Sequence, residues 1–347
     1  MNENMIQMVP MESTPWMPEV YRWGIEVIKL IQQIENPGLT ALTKFISVMG
    51  SAYFFIPVIL FIFWWMDEKR GLLFGILTIV SGWINVFAKE VLQHPRPFNL
   101  EPSLGLVFVP GYGAPSGHAK LSLTFWLAMA AWLSHLWMEK KQHFLTSRSF
   151  VWAFSILIIL LVGFTRLYLG VHFPTDIFAG WLLGLIILAI WLIPGPSLMN
   201  RLAQAGLRAQ NISAAVIALL MNALLPEDKT LPALFLGFCI GYNLMKHRFP
   251  FSAQGEISEK KPGINIMLFR CLTGFIGMAV IFLASRLIFP GEGSLFGNIT
   301  LWGRDSPFYD IGHFFRFGLL GFWVSAGAPY LFKAMGLAST VKKADES

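Results

Sequence analysis

Long apolar runs separated by short polar loops are the feature that most constrains how this chain can fold. The runs cover roughly residues 46–66, 71–91, 117–138, 149–169, 174–194, 212–226, 231–247, 266–289 and 312–334. Lipid leaves only helices and closed barrels able to satisfy the backbone. Because runs this continuous favour helices, and a span needs about 20 apolar residues, we predict an all-α polytopic membrane protein, a bundle of about nine transmembrane helices.

The composition agrees with a membrane protein and argues against other classes. The 347-residue chain is 55% hydrophobic and 13% charged, whereas soluble domains average roughly 25% charged residues. Its net charge of +6 comes from basic residues scattered over short loops, so we expect the lipid bilayer, and no nucleic acid, as a partner. Cys239 and Cys271 lie inside apolar runs and predict neither a disulfide nor a metal site. The sequence leaves the oligomeric state open.

The residues before the first apolar run have a different character. Residues 1–18 are polar and lack the apolar segment of a cleavable signal peptide. Residues 18–34 place apolar side chains at helical spacing with charges between them, which predicts an interfacial amphipathic helix. A helix that packs on the bundle and faces the aqueous phase is the alternative.

The distribution of lysine and arginine predicts the orientation of the bundle. One set of loops, together with the C-terminus, is rich in these residues, and the opposite set is poor once the motif cations below are set aside. The rich set contains Lys69, Arg70, Lys140, Lys141, Arg148, Arg201, Arg208, Lys246, Arg248, Lys260, Lys261, Lys333, Lys342 and Lys343, and the poor set Arg22, Lys29, Lys44, Lys229 and Arg304. We therefore expect the rich set in the cytoplasm, the N-terminus outside and the C-terminus inside, in a bacterial inner membrane.

Lys89 and Arg96-Pro97 form the first of three polar strings at the outer ends of the spans. Pro95 and Pro97 exclude a helix around Arg96 and hold it on stiff backbone. A lysine point charge beside the planar fork of an arginine suits a tetrahedral oxyanion. The alternative is a pair of cations that extend to the membrane interface.

Pro115-Ser116-Gly117-His118 opens the third apolar run. Serine is a preferred N-cap, and the first N–H groups of a helix lack backbone partners. Gly117 permits a ligand close to the backbone, so the segment predicts a phosphate cradle at a helix N-terminus. His118 could reach the same phosphate as an acid or a donor. An N-capped helix with an incidental histidine is the alternative.

Arg166, His172 and Asp176 link the fourth and fifth runs. Asp176 follows His172 by four residues, so its carboxylate can accept the imidazole Nδ1–H and leave Nε2 free to attack. A helix-capping aspartate beside a buried histidine is the alternative. Burial of an ionisable group at the end of a span costs free energy, so such groups are expected mainly at functional sites. Together the three strings supply a cation clamp, a phosphate cradle, a nucleophile, an orienting carboxylate and an acid. They predict a phosphohistidine phosphatase site on the outer face.

These strings resemble the motifs of the type 2 phosphatidic acid phosphatase family, which shares its site with vanadium haloperoxidases and glucose-6-phosphatase. The family pattern is K-x6-RP, PSGH and SR-x5-H-x3-D. The chain reads Lys89…Arg96-Pro97, Pro115-Ser116-Gly117-His118, and Thr165-Arg166…His172…Asp176, with Thr165 where the pattern has serine. The resemblance covers about residues 45–195.

The resemblance implies a role for each catalytic residue. His172 would attack phosphorus and become phosphohistidine, and Asp176 would orient and polarise it. His118 would protonate the leaving alkoxide and then activate water.

The resemblance also implies how the phosphoryl oxygens are held. Lys89, Arg96 and Arg166 would bind them together with Ser116 and the Gly117 backbone. The family needs no metal or other cofactor, and the sequence contains no acidic metal cage.

On this basis the chain divides into three parts. They are an N-terminal segment (residues 1–40) with the interfacial helix, a membrane phosphatase core (41–196) and an extension (197–347) of about four more transmembrane helices. The leading hypothesis is an integral membrane phosphatase that hydrolyses lipid phosphate monoesters, or diphosphates, at the outer face. A lipid phosphotransferase with the same site, and a lipid transporter or flippase, are the alternatives. The sequence does not identify the lipid.

Overall fold

A computed structural model describes residues 18–140, 148–254, 262–288 and 309–338. Over these residues the chain is helical and has no β-strand, which confirms the predicted all-α class. The helices are α1 (Glu19–Gln32), α2 (Pro37–Val48), α3 (Ala52–Phe61), α4 (Glu68–Leu92), α5 (Pro97–Leu100), α6 (Gly117–Lys140), α7 (Arg148–Tyr168), α8 (Pro174–Leu192), α9 (Gly195–Gln204), α10 (Leu207–Leu224), α11 (Thr230–Arg248), α12 (Ile264–Ile288), α13 (Tyr309–Phe322) and α14 (Ala328–Ala334). Shorter helical turns occupy Ile62–Met66, Pro102–Leu104 and Trp323–Gly327.

Five helical segments within the described residues are long and apolar enough to cross a membrane. They are Glu68–Leu100, Ser149–Tyr168, Pro174–Leu192, Leu207–Leu224 and Ile264–Ser285. The pair Pro37–Val48 and Ala52–Met66, bent by 46°, would be a sixth. The polytopic membrane class is confirmed, whereas the number of about nine spans stays a prediction. Among the remaining candidates, α13 has only 14 residues before a π-helical turn interrupts it.

The chain forms two compact units. The first comprises Met1–Phe55 and Ile84–Pro194, and the second comprises Ile56–Trp83 and Gly195–Ser347. Residues 56–83 therefore pack with the C-terminal part, although they lie inside the segment 41–196 that the sequence groups together. The three-part functional division stays a prediction. The polar residues 1–17 and the basic residues Lys141, Lys260, Lys261, Arg304, Lys342 and Lys343 lie outside the described residues.

Helix α1 is an amphipathic helix, as predicted, and its apolar face packs within the first unit. Ile25 and Ile28 are fully buried in a cluster with Leu104 and Phe173. On the other side, Trp23 is 50% exposed. The position of this exposed face at a membrane interface stays a prediction.

The second unit is held by close packing of α11 against α13. A Cβ added at Gly237 would collide with the backbone carbonyl of Gly318, so the two helices approach at backbone distance. Small residues allow this approach where lipid provides no hydrophobic drive for helices to associate. Arg270 of α12 is 1% exposed and donates to the carbonyls of Leu337 and Ala253 at 2.8 and 2.7 Å, a structural role.

Candidate active site

The three sequence strings meet at one end of the first unit. Lys89 lies in the last turn of α4 and Arg96 caps α5. Ser116 directly precedes α6, and Arg166 lies in the last turn of α7. His172 lies in the connection between α7 and α8, and Asp176 lies in the first turn of α8. All of these positions are helix ends, where a polar side chain can leave the apolar bundle.

The cations of the first string bind the loop that precedes α6. The Arg96 guanidinium is 3% exposed and donates to the carbonyl oxygens of Gly111, Val171 and Pro110 at 2.8, 3.0 and 3.2 Å. The Lys89 Nζ donates to the carbonyls of Tyr112 and Gly113. The alternative of cations that extend to the interface therefore does not describe Arg96. Since a guanidinium carries five N–H donors, Arg96 keeps donors beyond these contacts.

Arg166 is also buried, and one of its donors is unoccupied. The side chain is 5% exposed, and Nη1 donates to the Ser47 hydroxyl at 2.5 Å. Its Nε is buried without a hydrogen-bond partner in the described part of the chain. A buried donor left unpaired is unusual and fits a site that receives an anion. The neighbouring Thr165 donates its hydroxyl to the Val162 carbonyl at 2.7 Å, inside its own helix.

The Ser116 segment has the geometry of a capped helix start. The Ser116 Oγ accepts the Ala119 N–H at 3.5 Å. The Ser116 N–H donates to the Asp176 carbonyl at 2.9 Å, which joins the N-termini of α6 and α8. A Cβ at Gly117 would lie 2.5 Å from Asn85 Oδ1, so the group that approaches Gly117 closely is a side chain of α4.

Asn85 is a site neighbour that sequence reasoning missed. It is 6% exposed, and its Nδ2 donates to the Pro115 carbonyl at 3.0 Å. The sequence did contain a signal for Asn85, because it is a polar residue within an apolar run, one helical turn before Lys89.

His172 and Asp176 form the predicted pair. His172 Nδ1 lies 3.4 Å from Asp176 Oδ2, and both side chains are almost fully buried. The same Oδ2 accepts the Phe173 N–H at 2.9 Å, so Asp176 also caps α8. The oxygen that caps α8 is therefore also the one that faces His172, so the two alternatives that the sequence posed do not exclude each other.

Burial keeps the His172 imidazole neutral. Loss of hydration lowers the pKa of His172 to about 3, and the Arg166 charge acts in the same direction while Asp176 opposes both. A neutral imidazole is the form that can act as a nucleophile.

His118 lies in the first turn of α6, where the sequence places it. It is within electrostatic range of Arg166, His172, Arg96 and Lys89. The structure therefore gathers all eight predicted site residues at the same end of the first unit.

Two further side chains reach this pair. His94 Nδ1 lies 3.7 Å from Asp176 Oδ1, and the phenolic oxygen of Tyr21 lies 2.9 Å from His94 Nε2. Burial raises the pKa of Tyr21, and the charge of Asp176 adds to this effect. His94 lies two residues before Arg96, so its position beside the first motif could have been noticed in the sequence. Tyr21 gave no sequence signal, because only tertiary packing brings α1 to the site.

Comparisons with known proteins show which family the chain resembles. Residues 70–196 match the sequence model of the PAP2 superfamily, and residues 230–340 match that of the PAP2 superfamily phosphatase transmembrane extension. An undecaprenyl-diphosphatase of Sulfolobus acidocaldarius is 32% identical over 165 residues, which are 47% of this chain and 73% of that protein. Phosphatidylglycerophosphatase B of Bacillus subtilis is 30% identical over 159 residues, or 44% and 74% of the two chains.

A solved structure is also similar. It is a transmembrane PAP2 type phosphatidylglycerolphosphate phosphatase from Bacillus subtilis, with 26% identity and a TM-score of 0.43 over 50% of this chain and 85% of that one. The helical membrane architecture and the gathered motifs define a membrane-embedded phosphatase. The chain belongs to the PAP2 superfamily, and its C-terminal residues correspond to the transmembrane extension known in that superfamily.

Proposed function

We propose that this protein hydrolyses lipid phosphate monoesters or diphosphates at the outer, periplasmic face of a bacterial inner membrane, through a phosphohistidine on His172. The observation that carries the proposal is the convergence of Lys89, Arg96 and Arg166 on the buried pair of His172 and Asp176. The named activities of the relatives, a diphosphatase and a phosphatidylglycerophosphatase, support a lipid phosphate as substrate.

The reaction takes place in two balanced steps. In the first, His172 Nε2 forms a bond to phosphorus, the bond from phosphorus to the leaving oxygen breaks, and His118 gives its proton to that oxygen. In the second, water attacks phosphorus, His118 takes a proton from the water, and the P–N bond breaks to release phosphate. Asp176 stabilises the positive charge that develops on the imidazole in each step.

The cations neutralise the phosphoryl group in both steps. Lys89, Arg96 and the unoccupied Nε of Arg166 would share its oxygens with the first N–H groups of α6. Because these charges perform the role that a metal performs elsewhere, the proposed reaction is independent of metal.

The test uses purified full-length protein in detergent, assayed for phosphate release from phosphatidylglycerophosphate, phosphatidic acid, a polyprenyl diphosphate and a sphingoid-base phosphate. We expect release that persists in EDTA and labelled phosphoenzyme in an alkaline quench. Both should disappear in His172→Ala, with His135→Ala as a control for loss of a histidine away from the motifs. Turnover in His172→Ala would exclude His172 as nucleophile. Label on a second lipid would instead show phosphotransfer, and the absence of both products would favour transport.

A further inference from the structure

Asp176 lies between two histidines in the structure. Its Oδ2 faces Nδ1 of His172 at 3.4 Å, and its Oδ1 faces Nδ1 of His94 at 3.7 Å. Asp176 is fully buried, and neither Oδ1 nor His94 Nδ1 has a hydrogen-bond partner within the described residues. Two buried, complementary and unpaired atoms that face each other are unusual in a folded chain.

Tyr21 faces the other ring nitrogen of His94. Its phenolic oxygen lies 2.9 Å from His94 Nε2. When the phenol donates, Nε2 accepts, and the neutral ring must then carry its proton on Nδ1. If the ring is doubly protonated, Nδ1 also carries a proton. Asp176 Oδ1, which as a carboxylate oxygen can only accept, lies 3.7 Å from Nδ1 and favours these two states over the tautomer with its proton on Nε2. An N–H of His94 therefore points towards Asp176 Oδ1.

The same tyrosine is fixed by packing beside the nucleophile. Its ring centroid lies 5.1 Å from that of Phe173, the residue after His172, and 5.3 Å from that of His94. A Tyr21→Phe substitution would keep both ring contacts and remove only the hydroxyl. The hydroxyl therefore can be tested separately from the packing of α1.

We infer that Tyr21 and His94 are positioning residues, which hold Asp176 from the side opposite His172 so that its carboxylate orients the nucleophile. This inference rests on the proposed function. A contact of 3.7 Å is longer than a hydrogen bond, and catalytic hydrogen bonds in unliganded sites are often long and shorten when substrate binds. Through this chain, helix α1 contributes to the site although it lies outside the three motifs.

The experiment is a mutant cycle on the full-length protein, with p-nitrophenyl phosphate and phosphatidic acid in detergent micelles. Loss of one positioning hydrogen bond in Tyr21→Phe should lower kcat about 3- to 10-fold with little change in KM. His94→Phe should lower kcat more, by about 10- to 100-fold, as loss of a group that orients a metal-bound histidine does. Tyr53→Phe is the matched control, since Tyr53 is 86% exposed and should leave kcat unchanged.

Two readouts distinguish positioning from a general effect on structure. Because Tyr21 acts through His94, the double variant should be no slower than His94→Phe. His94→Asn keeps an N–H near the Nδ1 position, so it should recover part of the activity and no longer respond to Tyr21→Phe.

Three results would overturn the inference: wild-type kcat in both single variants, additive losses in the double variant, or no recovery in His94→Asn. The His172→Ala variant separates these from failure of the proposed function. If it turns over substrate, the proposed function fails. If it is inactive while the Tyr21 and His94 variants keep wild-type kcat, only the inference fails.

Discussion

Asp176 shows at the scale of one residue why helix capping is compatible with the proposed orienting role. A carboxylate has two oxygens and several lone pairs. Oδ2 accepts the Phe173 N–H at 2.9 Å and faces His172, while Oδ1 faces His94. The cap fixes the carboxylate relative to the backbone that carries His172. Rigid placement of this kind is what an orienting group needs.

His118 can be tested as the acid by changing the leaving group. We expect His118→Ala to lower kcat on an alkyl phosphate by about 10²- to 10⁴-fold, since a poor leaving group needs a proton. The loss should be much smaller on p-nitrophenyl phosphate, whose leaving group departs as an anion. Single-turnover rates on both substrates measure the difference. Equal losses would contradict the acid role.

The buried state of His172 predicts how stability depends on pH. The unfolded chain takes up a proton on this residue near pH 6.5, whereas burial lowers the pKa of His172 to about 3 in the folded protein. Between these values the unfolded state binds more protons, so stability falls as the pH falls. Thermal unfolding in detergent between about pH 7 and pH 4 should therefore show a steeper loss in the wild type than in His172→Gln. Parallel curves would indicate that folding leaves the pKa of His172 unchanged.

At the scale of secondary-structure elements, helix ends and close helix contacts organise the two units. The site residues lie near the ends of α4, α7 and α8 and at the start of α6, where the backbone has unpaired groups. In the second unit, α11 and α13 touch at glycine positions.

The contact of α11 with α13 predicts that one added methyl group destabilises the protein at Gly237 and not at Gly206. Gly237→Ala should lower the unfolding temperature clearly, because its Cβ would collide with the Gly318 carbonyl and neither backbone can yield easily. Gly206→Ala is the control, since nothing lies within 4 Å of a Cβ there. Thermal unfolding of both variants in the same detergent measures the effect. A Gly237→Ala variant as stable as Gly206→Ala would mean that the two helices do not pack this closely.

At the scale of the whole molecule, sidedness decides which lipid pool the enzyme meets. Helix α7 runs from Arg148 to Tyr168 with the site at its end. A helix of about 20 residues is about 30 Å long, which matches the hydrocarbon core. The two ends of α7 should therefore face opposite sides of the membrane, with the basic end in the cytoplasm as the lysine and arginine distribution predicts.

A matched pair of cysteines tests this orientation. In a background with Cys239 and Cys271 replaced by alanine, Ser103→Cys on the site side should react with an impermeant thiol reagent in intact cells. Ser149→Cys, at the other end of α7, should react only after permeabilisation. Both serines are exposed, so accessibility within the protein is comparable. The opposite labelling pattern would place the site and its substrate in the inner leaflet.

The sequence by itself determined the membrane class, the helical content and the residues gathered at the site. Apolar runs have few ways to satisfy their backbone in lipid, and ionisable groups at span ends are costly enough to be informative. Only the tertiary structure decided that residues 56–83 pack with the C-terminal unit and that Tyr21 reaches His94. Such contacts depend on which helix faces meet, and helices that are apolar all round give no pattern to predict this. Asn85 belongs to both groups. Its polarity within an apolar run was visible in the sequence, but only the packing of α4 beside the start of α6 brings it close to Gly117.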